Sequence, residues 1–179
     1  ESLAYEIVRK MHGSVAEYPN LDQAIDHEER KLGFRLAPEQ REAVKMGLTS
    51  KLCVITGGPG TGKTSVQKAL LDLYKERYPA AKIACCAPTG KAARRMEQAT
   101  GVHASTVHRA LGLMANEDGQ YGDPEMLEAD LVLVDEVSML DVYLAEKLFR
   151  SVADKSRLIL VGDSDQLPSV GPGAVLKEI

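Results

Sequence analysis

The segment Gly57-Gly58-Pro59-Gly60-Thr61-Gly62-Lys63-Thr64 constrains the fold of this chain more than any other feature. It follows the apolar run Leu52-Cys53-Val54-Ile55 and precedes a long stretch with helical spacing. A strand, a glycine-rich loop ending in Lys and Thr, and a helix form the supersecondary unit that cradles phosphate groups. The glycines permit backbone conformations that a Cβ atom would block, and the helix directs its partly positive N-terminus at the anion. The sequence therefore predicts a phosphate-binding loop after a strand of a parallel sheet.

The polar residues of this loop predict a nucleoside triphosphate with Mg²⁺ as the ligand. Lys63 is expected to reach the β- and γ-phosphates, and the hydroxyl of Thr64 is expected to hold Mg²⁺. A glycine-rich turn without a ligand is the alternative, which the flanking strand and helix and an acidic partner downstream disfavour. The residues expected to surround the nucleotide are Gly58, Pro59, Gly60, Thr61, Gly62, Lys63, Thr64 and Ser65.

The acidic partner is the pair Asp135-Glu136, which ends the run Asp130-Leu131-Val132-Leu133-Val134. Such a run is typical of a strand buried on both faces of a parallel sheet, and ligands bind at the carboxyl ends of such strands. We expect Asp135 to hold Mg²⁺ through water and Glu136 to polarise the attacking water. A base at this position favours hydrolysis over transfer to a small molecule. A solvated acidic turn is the competing interpretation.

The composition fits an α/β protein of modest size. The chain has 179 residues, of which 44% are apolar and only 4% aromatic, which suits an α/β core better than a β-sandwich. The net charge of −4 disfavours nucleic acid only weakly, since local patches matter more than the total. No run approaches the roughly 18–20 apolar residues of a membrane span, so no membrane partner is expected. Because the first residue is Glu1, we expect a segment of a longer protein.

The three cysteines are Cys53, Cys85 and Cys86, and all fall in predicted strands. Adjacent cysteines in a strand point to opposite faces and pair poorly, and the spacing fits no zinc site. Buried, reduced thiols in a cytoplasmic protein are therefore expected.

The hydrophobic pattern predicts alternating strands and helices. Residues 3–12 and 21–33 are predicted to form a helical lead-in, and Pro38 is expected to open the next helix. Asn, Asp, Gly and Pro in residues 115–128 indicate an exposed loop or hairpin. The alternation implies a parallel sheet with helices on both faces, in a domain of residues 36–179 preceded by a helical segment of residues 1–35. The predicted strands are 51–56, 82–87, 130–135 and 157–162, and the later predicted helices are 63–77, 90–100, 105–111 and 141–152.

A local basic stripe follows the second predicted strand. The segment Pro88-Thr89-Gly90 opens a helix whose free N–H groups, with the Thr89 hydroxyl, suit a nucleic-acid phosphate. Lys91, Arg94 and Arg95 are spaced i, i+3 and i+4 and so share one helix face. On the residues alone, a solvated basic face stays an open alternative.

Together these stretches resemble the RecD-like DNA helicases of superfamily 1, the exodeoxyribonuclease V alpha-subunit family, over nearly the whole chain. Five motifs occur in the family's order, and GDSDQLPSVGPG is the most distinctive of them. A further stretch, TVHRALG at 106–112, matches a DNA-contacting region of the family. The motifs are LAPEQ at 36–40, the phosphate loop at 57–64, APTGKAARRM at 87–96, DEVSM at 135–139 and GDSDQLPSVGPG at 162–173.

The resemblance implies a P-loop NTPase of the RecA-like fold that couples ATP hydrolysis to 5′→3′ movement on single-stranded DNA in recombination or repair. It implies that Gln40 reads the adenine edge, although the residue alone would favour an ordinary surface glutamine. Gln166 is implied to sense the γ-phosphate, with Lys63 and Glu136 as the other catalytic residues. A lone histidine is more often packed or at the surface, which leaves His108 open. The implied DNA contacts are Pro88, Thr89, Lys91, Arg94, Thr106 and His108.

The resemblance also implies partners, namely a second motor domain of the same chain and RecB- or RecC-like subunits. The second domain supplies an arginine finger, which contributes roughly 10³–10⁵ in rate in P-loop enzymes. The 179-residue chain is therefore expected to bind ATP and to hydrolyse it weakly.

Three alternatives stay open. The motor could belong to a TraA-like conjugative relaxase-helicase. The chain could be a small-molecule P-loop kinase or a GTPase, although it lacks the N-K-x-D sequence that guanine recognition needs. It could also be a non-catalytic interaction module, against which the intact Lys63, Thr64, Asp135 and Glu136 argue.

Overall fold

A computed structural model describes residues 17–57, 62–113, 117, 119 and 122–163. Its centre is a five-stranded sheet in which every pair of neighbouring strands is parallel, in the order β1-β5-β4-β2-β3. This confirms the predicted α/β class and its parallel sheet. The strands are β1 (Leu52–Thr56), β2 (Ile83–Ala87), β3 (Ala104–Thr106), β4 (Leu131–Val134) and β5 (Arg157–Gly162).

The helices begin and end close to the predicted positions. Gly33 and Gly101 end α1 and α4 in the left-handed conformation, with φ values of 83° and 74°. Asp141 accepts the Leu144 N–H at 2.8 Å and so caps the start of α6. None of the helices in the described ranges has the length and apolarity needed to cross a bilayer. The predicted helix at 3–12 lies outside these ranges. The helices are α1 (Leu21–Leu32), α2 (Pro38–Thr49), α3 (Lys63–Arg77), α4 (Gly90–Thr100), α5 (Val107–Ala110) and α6 (Val142–Ser151).

The prediction of one helix over 105–111 is wrong at its start. Ala104–Thr106 form the edge strand β3, which pairs with β2 through Cys85↔Ala104 and Ala87↔Thr106, and α5 begins only at Val107. Glu97 fixes the start of this strand, since its Oε2 accepts the Ala104 N–H at 2.9 Å. A three-residue strand is too short to show an alternating pattern, so long-range pairing rather than local sequence decides it.

The core has two layers because successive residues of each buried strand point to opposite faces. On one face, Leu131 and Leu133 of β4 pack with residues of α1 to α4. On the other face, Val132 and Val134 pack with α5 and α6, including the fully buried Phe149. Helices therefore cover both faces of the sheet, as predicted.

The cysteines behave as predicted. Cys53, Cys85 and Cys86 are buried and unpaired. Burial raises the pKa of Cys85 and of Cys86 to about 12, which keeps both thiols protonated and unreactive near neutral pH.

A charged cluster joins α1 to α2. Arg41 of α2 contacts the carboxylates of Asp26 and Glu29 on α1 and approaches Asp22, and Glu29 Oε2 also accepts the Leu36 N–H at 3.2 Å. On the inner side of α1, Ile25 is fully buried in the same cluster as the sheet residues. These contacts position α2, whose first turn carries Gln40. The predicted domain boundary at residue 35 stays a prediction.

Glu28 is a buried acid between α1 and α3. Because it is buried, we expect the folding stability of the protein to depend on pH. Its side chain is fully buried, and Lys31 Nζ lies 3.4 Å from Oε2. The pKa of Glu28 is raised to about 7, mainly by burial and also by the nearby Asp72 carboxylate, while Lys31 opposes the change. The folded protein therefore keeps a proton that the unfolded chain releases near its ordinary pKa of 4.5. We expect the contribution of Glu28 to the stability to be fully present below that value and to be lost as the pH rises through about 7.

The change Glu28→Gln should abolish this slope. Each pKa unit corresponds to about 1.36 kcal/mol, so a rise from 4.5 to about 7 sets an upper limit of roughly 3 kcal/mol on the increase in the free energy of unfolding at pH 8. Urea unfolding at pH 5 and pH 8 measures the effect, with Glu42→Gln as the control because Glu42 is exposed. An unchanged pH slope in Glu28→Gln would show that other groups cause it.

Candidate nucleotide and nucleic-acid site

The sheet topology brings the predicted site residues to one edge. All five strands are parallel, so their carboxyl ends lie together. The phosphate loop follows β1 and the acidic pair follows β4, with β5 between them. The basic stripe follows β2, and Thr106 ends β3. The edge thus has a nucleotide half (β1, β5, β4) and a basic half (β2, β3).

Lys63 is the first residue of α3 and lies at the nucleotide half. Its ammonium donates to the carbonyl oxygen of Gly57 at 2.6 Å, across the loop that precedes it. The side chain thus reaches back from the start of α3 to the residue that follows β1. Phosphate oxygens are stronger acceptors than a backbone carbonyl, so a bound nucleotide can take over this ammonium.

Gln40 contacts the phosphate loop directly. Its Oε1 accepts the Ala37 N–H at 2.7 Å, and its Nε2 lies 3.4 Å from the carbonyl oxygen of Gly62. Gly62 has a φ of 78°, and a Cβ atom there would lie 1.9 Å from Gln40 Nε2. Gln40 therefore lies against Gly62, at the end of the predicted phosphate loop, and is not an isolated surface glutamine. Its predicted contact with adenine stays a prediction.

The acidic pair has an unusual backbone. Asp135 continues the sheet by donating its N–H to Cys86 O at 3.0 Å, and its Oδ1 accepts the Glu136 N–H at 2.8 Å. Glu136 has a φ of 52°, in the left-handed region that non-glycine residues rarely adopt. Strained residues of this kind cluster at functional sites. The turn directs Glu136 toward the basic half, where Oε1 lies 3.1 Å from Arg95 Nη2.

The structure describes only some of the other residues that were predicted to lie near the nucleotide. Thr64 is exposed and Ser65 half-buried on the first turn of α3. Asp163 directly follows β5 and is buried, in keeping with a structural role. Gly58, Pro59, Gly60, Thr61 and Gln166 lie outside the described residues.

The basic half of the edge has exposed lysine and arginine side chains on two helices. Lys91, Arg94 and Arg95 are all exposed on α4, and Arg109 is exposed on α5. Thr89 Oγ1 accepts the Ala92 N–H at 3.1 Å, and Thr106 Oγ1 accepts the Arg109 N–H at 3.1 Å. Both hydroxyls therefore act as helix caps.

The remaining residues of the basic half lie beside these caps. Pro88 follows β2 and is half-buried, and His108 is half-buried on α5. The structure thus brings all six predicted DNA-contacting residues to the carboxyl end of β2 or β3. Whether they contact DNA stays a prediction.

Two contacts at the candidate site could not be predicted from the sequence. The contact between Gln40 and Gly62 joins residues 22 positions apart, and that between Arg95 and Glu136 joins residues 41 apart. For Gln40 the capping-box spacing indicates only the bond from the Ala37 N–H, and it does not indicate the contact with Gly62. For Arg95 the sequence shows only that it shares a basic face.

The chain matches a known protein family over residues 40–172, described as an AAA domain. The chain belongs to this AAA domain family. It is 42% identical to the ATP-dependent RecD2 DNA helicase of Deinococcus radiodurans, over 88% of this chain and 21% of that protein. It is 40% identical to the RecBCD enzyme subunit RecD of Mycolicibacterium smegmatis, over 79% of this chain and 30% of that protein. The chain thus spans less than a third of the length of these relatives.

Solved structures share the fold at lower identity. The UvsW helicase of bacteriophage T4 aligns with a TM-score of 0.57 and 14% identity, covering 73% of this chain and 53% of UvsW. The Pif1 helicase of Candida albicans aligns with a TM-score of 0.53 and 23% identity, covering 76% of this chain and 34% of Pif1. The comparisons confirm the RecA-like P-loop fold and the resemblance to RecD-like superfamily 1 motor domains.

Proposed function

We propose that this chain forms the ATP-binding motor unit of a RecD-like DNA helicase that couples ATP hydrolysis to 5′→3′ movement on single-stranded DNA. The observation that carries the proposal is the shared sheet edge. The strands β1, β4 and β2, which lead to the phosphate-loop sequence, the acidic pair and the basic helix, all end at this edge. The similarity to proteins named RecD and RecD2 DNA helicase supports the same activity class.

The nucleotide half holds the reacting groups in this proposal. The loop residues 57–64 cradle the phosphates, Lys63 leaves the Gly57 carbonyl for the β- and γ-phosphates, and Glu136 accepts the proton of the attacking water. Gln40 links the adenine to the loop through Gly62. Gln166, on the segment after β5, senses the γ-phosphate.

Mg²⁺ fits the donor set of this half. A hydroxyl from Thr64 and a carboxylate from Asp135 are the oxygen ligands that Mg²⁺ prefers, with water and phosphate oxygens for the rest. When bound, the ion neutralises charge on the β- and γ-phosphates. Thr64 and Asp135 would hold it, and the N–H of Glu136 orients the Asp135 carboxylate.

The basic half binds the nucleic acid in this proposal. Exposed Lys91 and Arg94 supply charge for phosphates, beside the start of α4 at Pro88 and Thr89 and the end of β3 at Thr106. His108 lies next to these and is suited to a backbone contact or to stacking. Contacts of this kind bind without reading sequence, as movement along DNA requires.

The proposed partners are a second motor domain carrying an arginine finger and RecB- or RecC-like subunits. The proposed location is the cytoplasm, supported by the three unpaired, buried cysteines.

We predict that the 179-residue chain binds ATP and single-stranded DNA but hydrolyses ATP slowly. Because the proposed arginine finger belongs to a second motor domain, turnover by these 179 residues alone should be about 10³–10⁵-fold below that of an intact motor. Fluorescent ATP and labelled oligo-dT titrations measure binding, and single-turnover assays with the protein in excess measure hydrolysis. Fast DNA-stimulated turnover that Lys63→Ala removes would show that the chain holds a complete active site. Failure to bind any nucleotide would overturn the proposed function.

A further inference from the structure

One ion pair joins the two halves of the site. Arg95 is on α4, the helix that follows β2 in the chain. Glu136 follows β4, the strand next to β2 in the sheet. Arg95 Nη2 lies 3.1 Å from Glu136 Oε1. The two residues come from different segments, so the contact spans the boundary between the nucleotide half and the basic half.

Each residue of this ion pair also has another role in the proposed function. Glu136 must face the attacking water to act as a base, and here its carboxylate faces α4 instead. Arg95 belongs to the exposed basic face with Lys91 and Arg94, where DNA phosphates are expected. The Arg95 side chain is 63% exposed, so a phosphate has access to it. Arg95 is the member of this trio that is ion-paired within the described residues.

We propose that Arg95 is a positioning residue for which Glu136 and the nucleic-acid phosphate compete. The inference rests on the proposed function. Without DNA, Arg95 holds the carboxylate of Glu136 toward α4. When a phosphate takes Arg95, the carboxylate is released toward the nucleotide half. Loss of the ion pair thus makes the base available when DNA is bound.

The left-handed turn at Glu136 supports this role. Its N–H bonds to Asp135 Oδ1 at 2.8 Å, which fixes the backbone while leaving the side chain to turn. The movement needed is therefore a side-chain rotation rather than a change of fold. An exposed ion pair is weak, so a DNA phosphate is able to displace it.

DNA affinity tests the competition without any need for hydrolysis. A carboxylate that competes for Arg95 weakens DNA binding, so Glu136→Gln should tighten it. From the strength of exposed pairs we expect a gain of about 1.5- to 5-fold in affinity for oligo-dT without nucleotide. In an Arg95→Gln background, the same Glu136→Gln change should have almost no effect. The four proteins form a double-mutant cycle, measured by fluorescence anisotropy at low salt.

The matched control is Arg150→Gln. Arg150 is also an exposed arginine paired with a carboxylate, with Nη1 3.5 Å from Glu146 Oε1 on α6. In that background Glu136→Gln should tighten DNA binding as it does in the unchanged chain. Thermal unfolding checks that each variant folds.

The outcomes separate the inference from the proposed function. If Glu136→Gln tightens DNA binding equally with and without Arg95, the effect is general charge removal and the competition is refuted. If Glu136→Gln as a single change leaves the affinity for oligo-dT as it was, the competition is likewise refuted while the proposed function stands. If the unchanged chain binds no DNA, the proposed function fails and the inference fails with it.

Discussion

Replacing Lys63 by alanine is expected to remove most nucleotide binding and all measurable hydrolysis. The ammonium lies 2.6 Å from the carbonyl oxygen of Gly57, the first residue of the phosphate-loop sequence. Hydrogen bonds to charged groups contribute about 1.5–3 kcal/mol, so the affinity for ATP should fall by roughly 10- to 150-fold. Hydrolysis should fall by a further factor of at least about 10², because the same charge stabilises the transition state.

Fluorescent-ATP titration and single-turnover hydrolysis at saturating protein measure these two losses separately. The control is Lys68→Ala, since Lys68 is on the same helix but pairs with Asp72 at 3.0 Å. That variant should bind and hydrolyse ATP like the unchanged chain. Unaltered ATP affinity in Lys63→Ala would mean that the loop does not bind the triphosphate.

Replacing Glu136 by glutamine is expected to separate binding from chemistry. Glutamine keeps the size of the side chain but cannot accept a proton from water. General-base catalysis contributes about 10²–10⁴-fold, so hydrolysis should fall by that factor. ATP affinity should stay within about twofold, because Glu136 is not expected to contact the phosphates.

The same two assays measure the result, with Glu128→Gln as the control because Glu128 is an exposed carboxylate in the loop before β4. A parallel loss of ATP affinity would assign Glu136 to nucleotide binding instead. Hydrolysis equal to that of the unchanged chain would place the base elsewhere. Together with Lys63→Ala, this variant distinguishes an empty site from a loaded but inactive one.

Most helices and strands follow from local sequence. The helix over 63–77 and the strand over 157–162 were predictable to the residue, because periodic apolar patterns and flanking glycines act over short distances. The strand β3 was not predictable, since three residues carry no pattern and their pairing with β2 is a long-range contact. Glu28 shows the same limit, because nothing in its local sequence indicates complete burial.

The sequence by itself determined the family of this protein and predicted its chemistry. A phosphate loop is a continuous unit whose strand, glycines, lysine and helix are adjacent along the chain, so residues 57–64 specify their ligand class without tertiary information. The acidic pair at the end of a buried run is equally local. Resemblance over five motifs then indicated the kind of motor.

Only the tertiary structure decided which of these residues meet. In the sheet, β1 and β2 are consecutive in sequence but are separated by β5 and β4, because crossover helices allow a parallel strand to skip positions. This order places β4 beside β2 and so brings Glu136 within 3.1 Å of Arg95. It also brings Gln40 to the loop at Gly62. Such contacts depend on the summed packing of distant segments, which no local pattern records.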